Sequence, residues 1–270
     1  MTAETLSPAA APQPPSRTLM QRAPDLLVWG AVAVLLIIAF KPAEISKFTL
    51  LFTNSENMRT YGKDLLRPDF TQWRLYVSMM WLTVQIAMWG TFLAVIIAVP
   101  FGLACSRNIA PIWLQQPMRI LMNLIRSIPD LVVGTLFLVA VGLGPFAGVM
   151  ALAINTGGVL AKLFSEAVES IDKGPVEGVR ATGATRLQEI VWGVIPQVAP
   201  HWTSYALYRF ESNSRAATVL GLIGAGGIGQ LLFDSLNSFA YHQLSAIVIV
   251  IIVAVSLIDL LSQAMRSRLL

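Results

Sequence analysis

Residues 166–200 read EAVESIDKGPVEGVRATGATRLQEIVWGVIPQVAP and form a polar interlude between hydrophobic segments. The interlude opens with acidic residues and is interrupted at residues 173–175 and again at Gly183. From 184 to 195 the apolar residues recur at helical spacing, which predicts an amphipathic helix with one face to cover. Two prolines predict where this helix ends, namely Pro196 and Pro200. The interlude is therefore expected to be two short helices joined by a sharp turn.

The rest of the chain is dominated by apolar residues. Hydrophobic residues make up 55% of the 270 positions and charged residues only 13%, whereas charged residues make up about a quarter of an average soluble domain. The composition predicts an all-α, polytopic membrane protein. The net charge of +4 comes from scattered basic residues, which argues against nucleic-acid binding. A single cysteine and two distant histidines argue against a disulfide framework or a metal site.

Six hydrophobic segments are expected to cross the membrane, since about 20 apolar residues span its hydrocarbon core. Residues 1–24 are rich in Pro, Ala, Ser and Thr and are expected to form a disordered cytoplasmic tail. Residues 25–74 are expected to hold a first transmembrane helix, or alternatively a cleaved signal peptide, and then a partly helical segment on the outer surface. Residues 75–270 form the main transmembrane domain. Its five segments are predicted at 75–104, 118–142, 146–164, 201–223 and 244–261.

The distribution of Lys and Arg gives the expected orientation. With the first tail inside, basic stretches near Arg107, Arg186 and Arg266 all fall on the cytoplasmic side. The basic residues of 41–74 fall outside and oppose the rule. Both termini, the loop 166–200 and the lone Cys105 are therefore predicted to face the cytoplasm.

The spacing within the polar interlude resembles the EAA loop of ABC-importer permeases. In that family, Glu-Ala-Ala is followed by three residues, Gly, nine residues, Ile, any residue and Leu-Pro. Glu177, Gly183 and Pro196 match this pattern, and Ile195 substitutes conservatively for Leu. Other residues occupy the remaining Ala, Ala and Ile positions, namely Gly178, Val179 and Gly193. The runs EGVRATGATRLQEIVWGVIPQV and YRFESNSRAATVLGLIGAGGIG are similar to the permease subunit of phosphonate transporters, within a resemblance that covers residues 74–270.

This resemblance implies a type I (MetI-like) permease architecture whose polar loop docks on an ATPase. In the family, two identical or homologous permeases form the pathway, two ATPase subunits bind their coupling loops, and an extracytoplasmic binding protein delivers the solute. ATP and Mg²⁺ would belong to the ATPase, and this chain would hold no cofactor. The implied cargo is phosphonate, phosphite or phosphate, and the implied location is the bacterial inner membrane. The residues expected to couple to the ATPase are Glu177, Gly178, Thr182, Gly183, Ala184 and Pro196.

The glycine-rich run after residue 223 admits two interpretations. Its spacing satisfies the dinucleotide pattern G-x-G-x-x-G, but an apolar helix and not a strand precedes it, which argues against nucleotide binding. We predict instead closely packed backbone at an outer gate, where irregular structure is tolerated if it is buried in protein or lines a cavity. The gate residues would be Gly224, Gly226, Gly227 and Gly229. The sequence also lacks the G-x-x-x-x-G-K-[ST] motif of a P-loop and any catalytic motif, so no catalysis is expected of this chain.

Five ionisable residues lie within hydrophobic segments, where a charge is costly unless it is paired or hydrated. They are Arg126, Asp130, Arg209, Glu211 and Arg215. One interpretation is that they pair between helices and stabilise the bundle; the other is that they line a water-filled route for an ionic cargo. Glu211 and Arg215 have the favourable order for a helical ion pair and are expected near the middle of the membrane. Three cations against two anions leave one cation unpaired, and Arg209 is predicted to be that residue.

Two other functions remain compatible with the sequence. A permease of the same architecture for another small solute, such as an amino acid, would carry the same loop. A channel or a membrane enzyme acting alone would need no ATPase. Association with an ATPase that depends on Glu177 and Gly183 would separate a permease from these solitary functions.

Overall fold

The computed structural model describes residues 19–53 and 55–268, and every regular element within these ranges is a helix. The chain divides into two compact units, residues 1–60 and 61–270. The α-helices are α1 (Leu19–Phe40), α2 (Leu50–Thr53), α3 (Ser55–Leu65), α4 (Trp73–Cys105), α5 (Ile112–Ser127), α6 (Asp130–Val141), α7 (Pro145–Glu169), α8 (Lys173–Ala181), α9 (Arg186–Gln188), α10 (Ile195–Leu220), α11 (Ile228–Asn237) and α12 (Tyr241–Arg266). A 3₁₀ turn covers Ile45–Thr49, and π-helical turns cover Glu189–Val194 and Gly221–Ala225.

The first unit contains α1, the 3₁₀ turn, α2 and the start of α3, which continues past residue 60. Helix α1 begins at Leu19, within the segment that the sequence predicts to be a disordered tail; residues 1–18 of that tail lie outside the described residues. Its apolar part, Leu27–Phe40, is shorter than a typical span. The 3₁₀ turn, α2 and α3 match the prediction of a partly helical segment between residues 41 and 74.

The second unit is built around α4, α7 and α10. Helices α4 and α7 approach closely because glycines face large side chains: a Cβ atom on Gly90 would lie 2.7 Å from the Leu152 Cβ. Small residues allow such close packing between membrane helices, where apolar surface alone gives little attraction. Helix α10 adds Trp202, whose ring stacks on Phe164 of α7 with 4.6 Å between the ring centroids. These three helices form the centre on which α5, α6, α11 and α12 pack.

Three of the described helices are long and apolar enough to cross a membrane, namely α4, α7 and α12. Two bent pairs pass the same test together: α5 with α6, at 87°, and Arg186–Ala225 with α11, at 58°. The described residues therefore supply three spans, or five if each bent pair is one span. The predicted total of six includes the shorter apolar helix of the first unit and stays a prediction.

The third predicted segment, 118–142, is not one helix. It is broken after Ser127, and α6 restarts at Asp130. The cause is Pro129, since a proline disfavours helical backbone in the residue before it; Ile128 accordingly has ψ 124°.

The polar interlude contains the predicted pair of short helices with different ends. Helix α8 begins at Lys173, inside the interruption predicted at residues 173–175, because the Asp172 side chain accepts a hydrogen bond from the Gly174 N–H at 3.0 Å and caps the helix. Pro175 is tolerated because it lies in the first turn. The second helix begins at Arg186 behind a capping box, in which the Thr185 N–H donates to the Gln188 side chain at 2.8 Å.

The prolines expected to end that second helix do not end it. The chain passes from α9 through the π-helical turn Glu189–Val194 directly into α10. Pro196 lies in the first turn of α10, immediately after the point where the hydrogen-bond register changes, so its missing N–H is tolerated there. Pro200 lies inside α10. One helical path therefore runs from Arg186 to Ala225.

Candidate functional site

Residues 173–194 form a helical hairpin in which α8 folds back on the π-helical turn that follows α9. The predicted sharp turn is present at Gly183, whose φ of 79° lies in the left-handed region that favours glycine. Arg180, in the last turn of α8, donates Nε and Nη2 to the two carboxylate oxygens of Glu189, both at 2.9 Å. This bidentate bond raises the pKa of Arg180 above its ordinary value.

Further contacts tie the helical hairpin to the transmembrane helices. Gln197 of α10 exchanges hydrogen bonds with the Asp172 backbone, at 3.2 Å in both directions. Arg186 Nη2 donates to the Ile109 carbonyl, in the loop between α4 and α5, at 2.6 Å. The helical hairpin is therefore joined both to α10 and to the α4–α5 loop.

Two grooves of about 620 Å³ each flank the helical hairpin. The uncharged groove contains most of the predicted coupling residues and an exposed tryptophan; it is lined by Pro175, Gly178, Val179, Thr182, Gly183, Ala184, Gln188 and Trp192. The charged groove contains Glu177 with Arg180, Arg186 and Glu189. Pro196 lines neither groove. Sequence reasoning missed Trp192. Its side chain is exposed by 70%, and an exposed tryptophan on a polar loop indicates a surface that a partner protein covers.

The five predicted intramembrane charges separate into different groups. The predicted Glu211–Arg215 pair is present at 3.0 Å. Two residues of α12 extend it into a network: Arg266 reaches Glu211 at 3.2 Å, and Arg215 reaches Asp259 at 3.4 Å. Sequence reasoning missed Asp259 and Arg266, because their contacts depend on how α12 packs against α10.

The contacts with α12 show where this network lies along the bundle. Glu211 lies level with Arg266, the last residue of α12, and not with the middle of that helix. Arg215 and Glu211 therefore lie toward the end of the bundle that carries the helical hairpin.

A buried chain of polar side chains joins α4, α7 and α10. Asn213 donates to the Thr91 hydroxyl at 2.8 Å and accepts from the Thr156 hydroxyl at 2.8 Å. Arg209 adds a longer contact, Nη2 to the Thr156 hydroxyl at 3.4 Å. The Arg209 Nε atom is buried and has no hydrogen-bond partner among the described residues. A buried donor without a partner is costly, so this guanidinium has capacity for an acceptor.

Asp130 lies beside this chain, at the first residue of α6. Its carboxylate accepts a hydrogen bond from Asn155, the neighbour of Thr156 in sequence. Asp130 and Arg209 do not form an ion pair within 4.0 Å. Arg126 is exposed at the end of α5, away from these contacts. Sequence reasoning missed the polar partners Thr91, Asn155, Thr156 and Asn213, which a search for amides and hydroxyls inside apolar segments would have found.

The glycine-rich bend between α10 and α11 is closely packed, as predicted. Three of its glycines have φ in the left-handed region: Gly224 at 105°, Gly226 at 81° and Gly227 at 75°. Gly229 is helical, but a Cβ atom there would overlap the Thr218 carbonyl oxygen. The Thr83 hydroxyl of α4 accepts a hydrogen bond from the Ile228 N–H at 2.9 Å. The bend is therefore specified by backbone contacts that side chains would disrupt.

Comparisons with known proteins agree on one family. The family described as binding-protein-dependent transport system inner membrane component matches residues 98–269. A phosphite transport system permease protein of Stutzerimonas stutzeri is 38% identical, over 82% of this chain and 80% of the relative. A cryptic phosphonate transport system permease protein of Escherichia coli is 58% identical, over 44% of this chain and 98% of the relative.

A solved structure shows the same fold. It is an inward-facing conformation of the MetNI methionine ABC transporter, 23% identical in sequence, with a TM-score of 0.65 over 73% of this chain and 96% of that chain. The predicted type I permease architecture is therefore confirmed.

Proposed function

This chain belongs to the family of binding-protein-dependent transport system inner membrane components and is a permease subunit of an ABC importer; we propose that its cargo is phosphonate or a related phosphorus oxyanion, such as phosphite or phosphate. As a permease subunit it is not catalytic, and a separate ATPase hydrolyses ATP. It is a multi-pass protein of the inner membrane. The family also implies a second permease and a substrate-binding protein.

We place the ATPase contact on the helical hairpin. The uncharged groove offers small residues and Trp192 to a partner, and it contains Gly178, Thr182, Gly183 and Ala184. Exposed apolar surface on an otherwise polar loop is typical of a protein interface. ATP and Mg²⁺ would then bind on the ATPase, and the helical path from Arg186 to Ala225 would carry its movement into the membrane.

The observation that supports an anionic cargo is the partly buried Arg209, whose Nε has no hydrogen-bond partner among the described residues. A guanidinium donates in a fork that suits phosphate and phosphonate oxygens. Glu211 and Arg215 neutralise each other within the α12 network and so serve the packing of helices. Asp130 is held by Asn155. We therefore assign Arg209 to the substrate route, with Asp130 beside it, and assign Glu211 and Arg215 to the stability of the bundle.

We further propose that the closely packed glycine bend is the outer gate, and that both termini and the helical hairpin face the cytoplasm. The bend lies at the end of the helical path that is opposite to the hairpin. An ATPase at one end and a gate at the other would allow alternating access.

Transport by the reconstituted complex tests the cargo. The chain is purified with its ATPase, incorporated into proteoliposomes and supplied with its binding protein. ATP-dependent uptake of phosphite, methylphosphonate or phosphate, without uptake of sulfate or methionine, is the expected result. Uptake of methionine alone would replace the cargo assignment, and uptake without the ATPase would favour a channel.

A further inference from the structure

We infer that Arg180 and Glu189 are positioning residues whose ion pair holds the helical hairpin rigid, so that a displacement of the uncharged groove reaches α10. The inference rests on the proposed ATPase contact. It assigns a role to two residues that lie outside the predicted coupling set.

The hairpin needs a brace, meaning a contact that fixes the angle between α8 and α9. Helix α8 is only 9 residues long, and a helix this short is not stable by itself in water. Its covalent link to α9 is the exposed turn at Gly183, where a Cβ atom would meet nothing within 4 Å. A turn without packing around it cannot by itself fix the angle between two helices. The start of α8 is joined to α10 by the Asp172–Gln197 hydrogen bonds, and Val176 packs against Gly193. The end of α8 next to the Gly183 turn is therefore the part that needs a further connection to the helical path.

The Arg180–Glu189 pair is placed to provide that connection. It joins the last turn of α8 to the first residue of the π-helical turn, across the Gly183 turn. Both hydrogen bonds are 2.9 Å long, and a bidentate pair fixes orientation as well as distance. The Glu189 side chain is exposed by only 13%, whereas that of Arg180 is exposed by 64%. The Glu189 carboxylate is therefore largely buried in the hairpin, and the more exposed Arg180 side chain covers it.

The same pair is poorly placed to bind the ATPase directly. Arg180 and Glu189 line the charged groove, whereas Gly178, Gly183 and Trp192 line the uncharged one. Each charge is also satisfied by the other. The two roles differ in what they require of the side chains. A residue that contacts the ATPase must be a particular side chain at a particular position, whereas a brace needs only two opposite charges that face each other.

Charge exchange separates these two roles. We would compare Arg180→Gln, Glu189→Gln and the double variant Arg180→Glu with Glu189→Arg, measuring phosphite uptake per ATP hydrolysed in proteoliposomes. Each single variant should still co-purify with the ATPase but should show an uptake-to-hydrolysis ratio about five-fold lower or more. The double variant should recover most of the ratio. Unchanged single variants, or a double variant no better than the singles, would overturn the inference.

A distance measurement tests the brace without reference to the cargo. Spin labels at Ala181→Cys and Leu187→Cys are both exposed and lie outside the uncharged groove. In a Cys105→Ser background of the permease–ATPase complex, they report the distance between the end of α8 and α9. Glu189→Gln should broaden the distance distribution, and the charge exchange should narrow it again. If the distribution is equally narrow in all variants, the pair does not brace the hairpin, whether or not phosphite proves to be the cargo.

Discussion

Arg209 of α10 and Thr156 of α7 face each other across a helix interface, with the guanidinium Nη2 3.4 Å from the threonine hydroxyl. That hydroxyl already donates to Asn213 at 2.8 Å, so the threonine is held in place from the side of α10. The arginine, in contrast, keeps a buried Nε without a partner among the described residues. Nε is thus the donor that this arginine keeps for an anionic acceptor, since Nη2 is directed at the threonine hydroxyl.

Arg209→Gln should therefore impair transport more than folding. Hydrogen bonds to a charged group contribute about 1.5–3 kcal/mol, so uptake should fall by about ten- to a hundred-fold. Co-purification with the ATPase should be unchanged. Arg126→Gln is the matched control, because Arg126 is exposed at the end of α5 and should tolerate the change. Loss of the folded subunit in Arg209→Gln would instead show that this arginine stabilises the bundle.

Glu211→Gln should have the opposite effect and lower the stability of the subunit more than its transport. Its carboxylate is exposed by only 12% and bonds both Arg215 and Arg266. Arg215 keeps Asp259 when the charge is removed, whereas Arg266 loses its ion-pair partner. Leaving a charged donor without a partner costs about 1–3 kcal/mol, which should lower the thermal unfolding temperature in detergent.

Asp259→Asn is the control for that change, since it removes the longer contact and leaves both bonds of Glu211 intact. Its unfolding temperature should lie closer to that of the wild type. Equal stability of Glu211→Gln and the wild type would mean that the network contributes nothing to the bundle.

The bend between α10 and α11 gives a third expected outcome. Gly229→Ala places a methyl group against the Thr218 carbonyl oxygen, which belongs to the backbone and cannot move aside. Overpacking of this kind costs about 1–3 kcal/mol. Gly178→Ala is the matched change, since that helical glycine has nothing within 4 Å of its Cβ position. Equal unfolding temperatures for the two variants would contradict the close packing of the bend.

The sequence was sufficient where local chemistry decides the structure. Helices α4, α7 and α12 follow from long apolar runs, and the turn at Gly183 follows from a glycine between two short helical patterns. The Glu211–Arg215 pair follows from spacing along one helix. Local patterns carry this information because each depends on neighbours within a few residues.

Where the sequence was insufficient, tertiary context decided the structure. Pro196 predicts a helix end from sequence, yet the π-helical turn before it allows the helix to continue. The partners of Glu211 on α12 and of Arg209 on α7 come from segments more than 40 residues away. Which side of the membrane each end faces is also a question that contacts within one chain do not answer.

Cysteine labelling should show which side of the membrane each end of the bundle faces. The native thiol of Cys105, which is predicted to face the cytoplasm, cannot report its side of the membrane because it is buried. Lys173→Cys and Ser238→Cys, each in a Cys105→Ser background, place exposed thiols at opposite ends of the α7–α12 bundle. With the hairpin in the cytoplasm, a membrane-impermeant maleimide should label position 238 in intact spheroplasts and position 173 only after permeabilisation. The reverse pattern would invert the proposed topology.

The turn of the helical hairpin gives the last expected outcome. At Gly183, φ is 79° and nothing lies within 4 Å of the Cβ position, so a side chain there is opposed by backbone conformation and not by space. For a residue other than glycine, this left-handed conformation costs about 1–2 kcal/mol, and more for a β-branched one. Gly183→Val should therefore change the turn and reduce both ATPase association and coupled uptake, while insertion into the membrane is preserved.

Gly178→Val is the matched control for the same groove. Gly178 lines the uncharged groove with Gly183, has equal space around its Cβ position and has no positive φ. Both variants add the same three carbon atoms to the proposed ATPase contact, so a purely steric block would impair them alike. A larger loss in Gly183→Val assigns the difference to the turn. If Gly183→Val binds the ATPase and transports normally, the conformation of this turn is not needed for coupling, and the assignment of the helical hairpin must be abandoned.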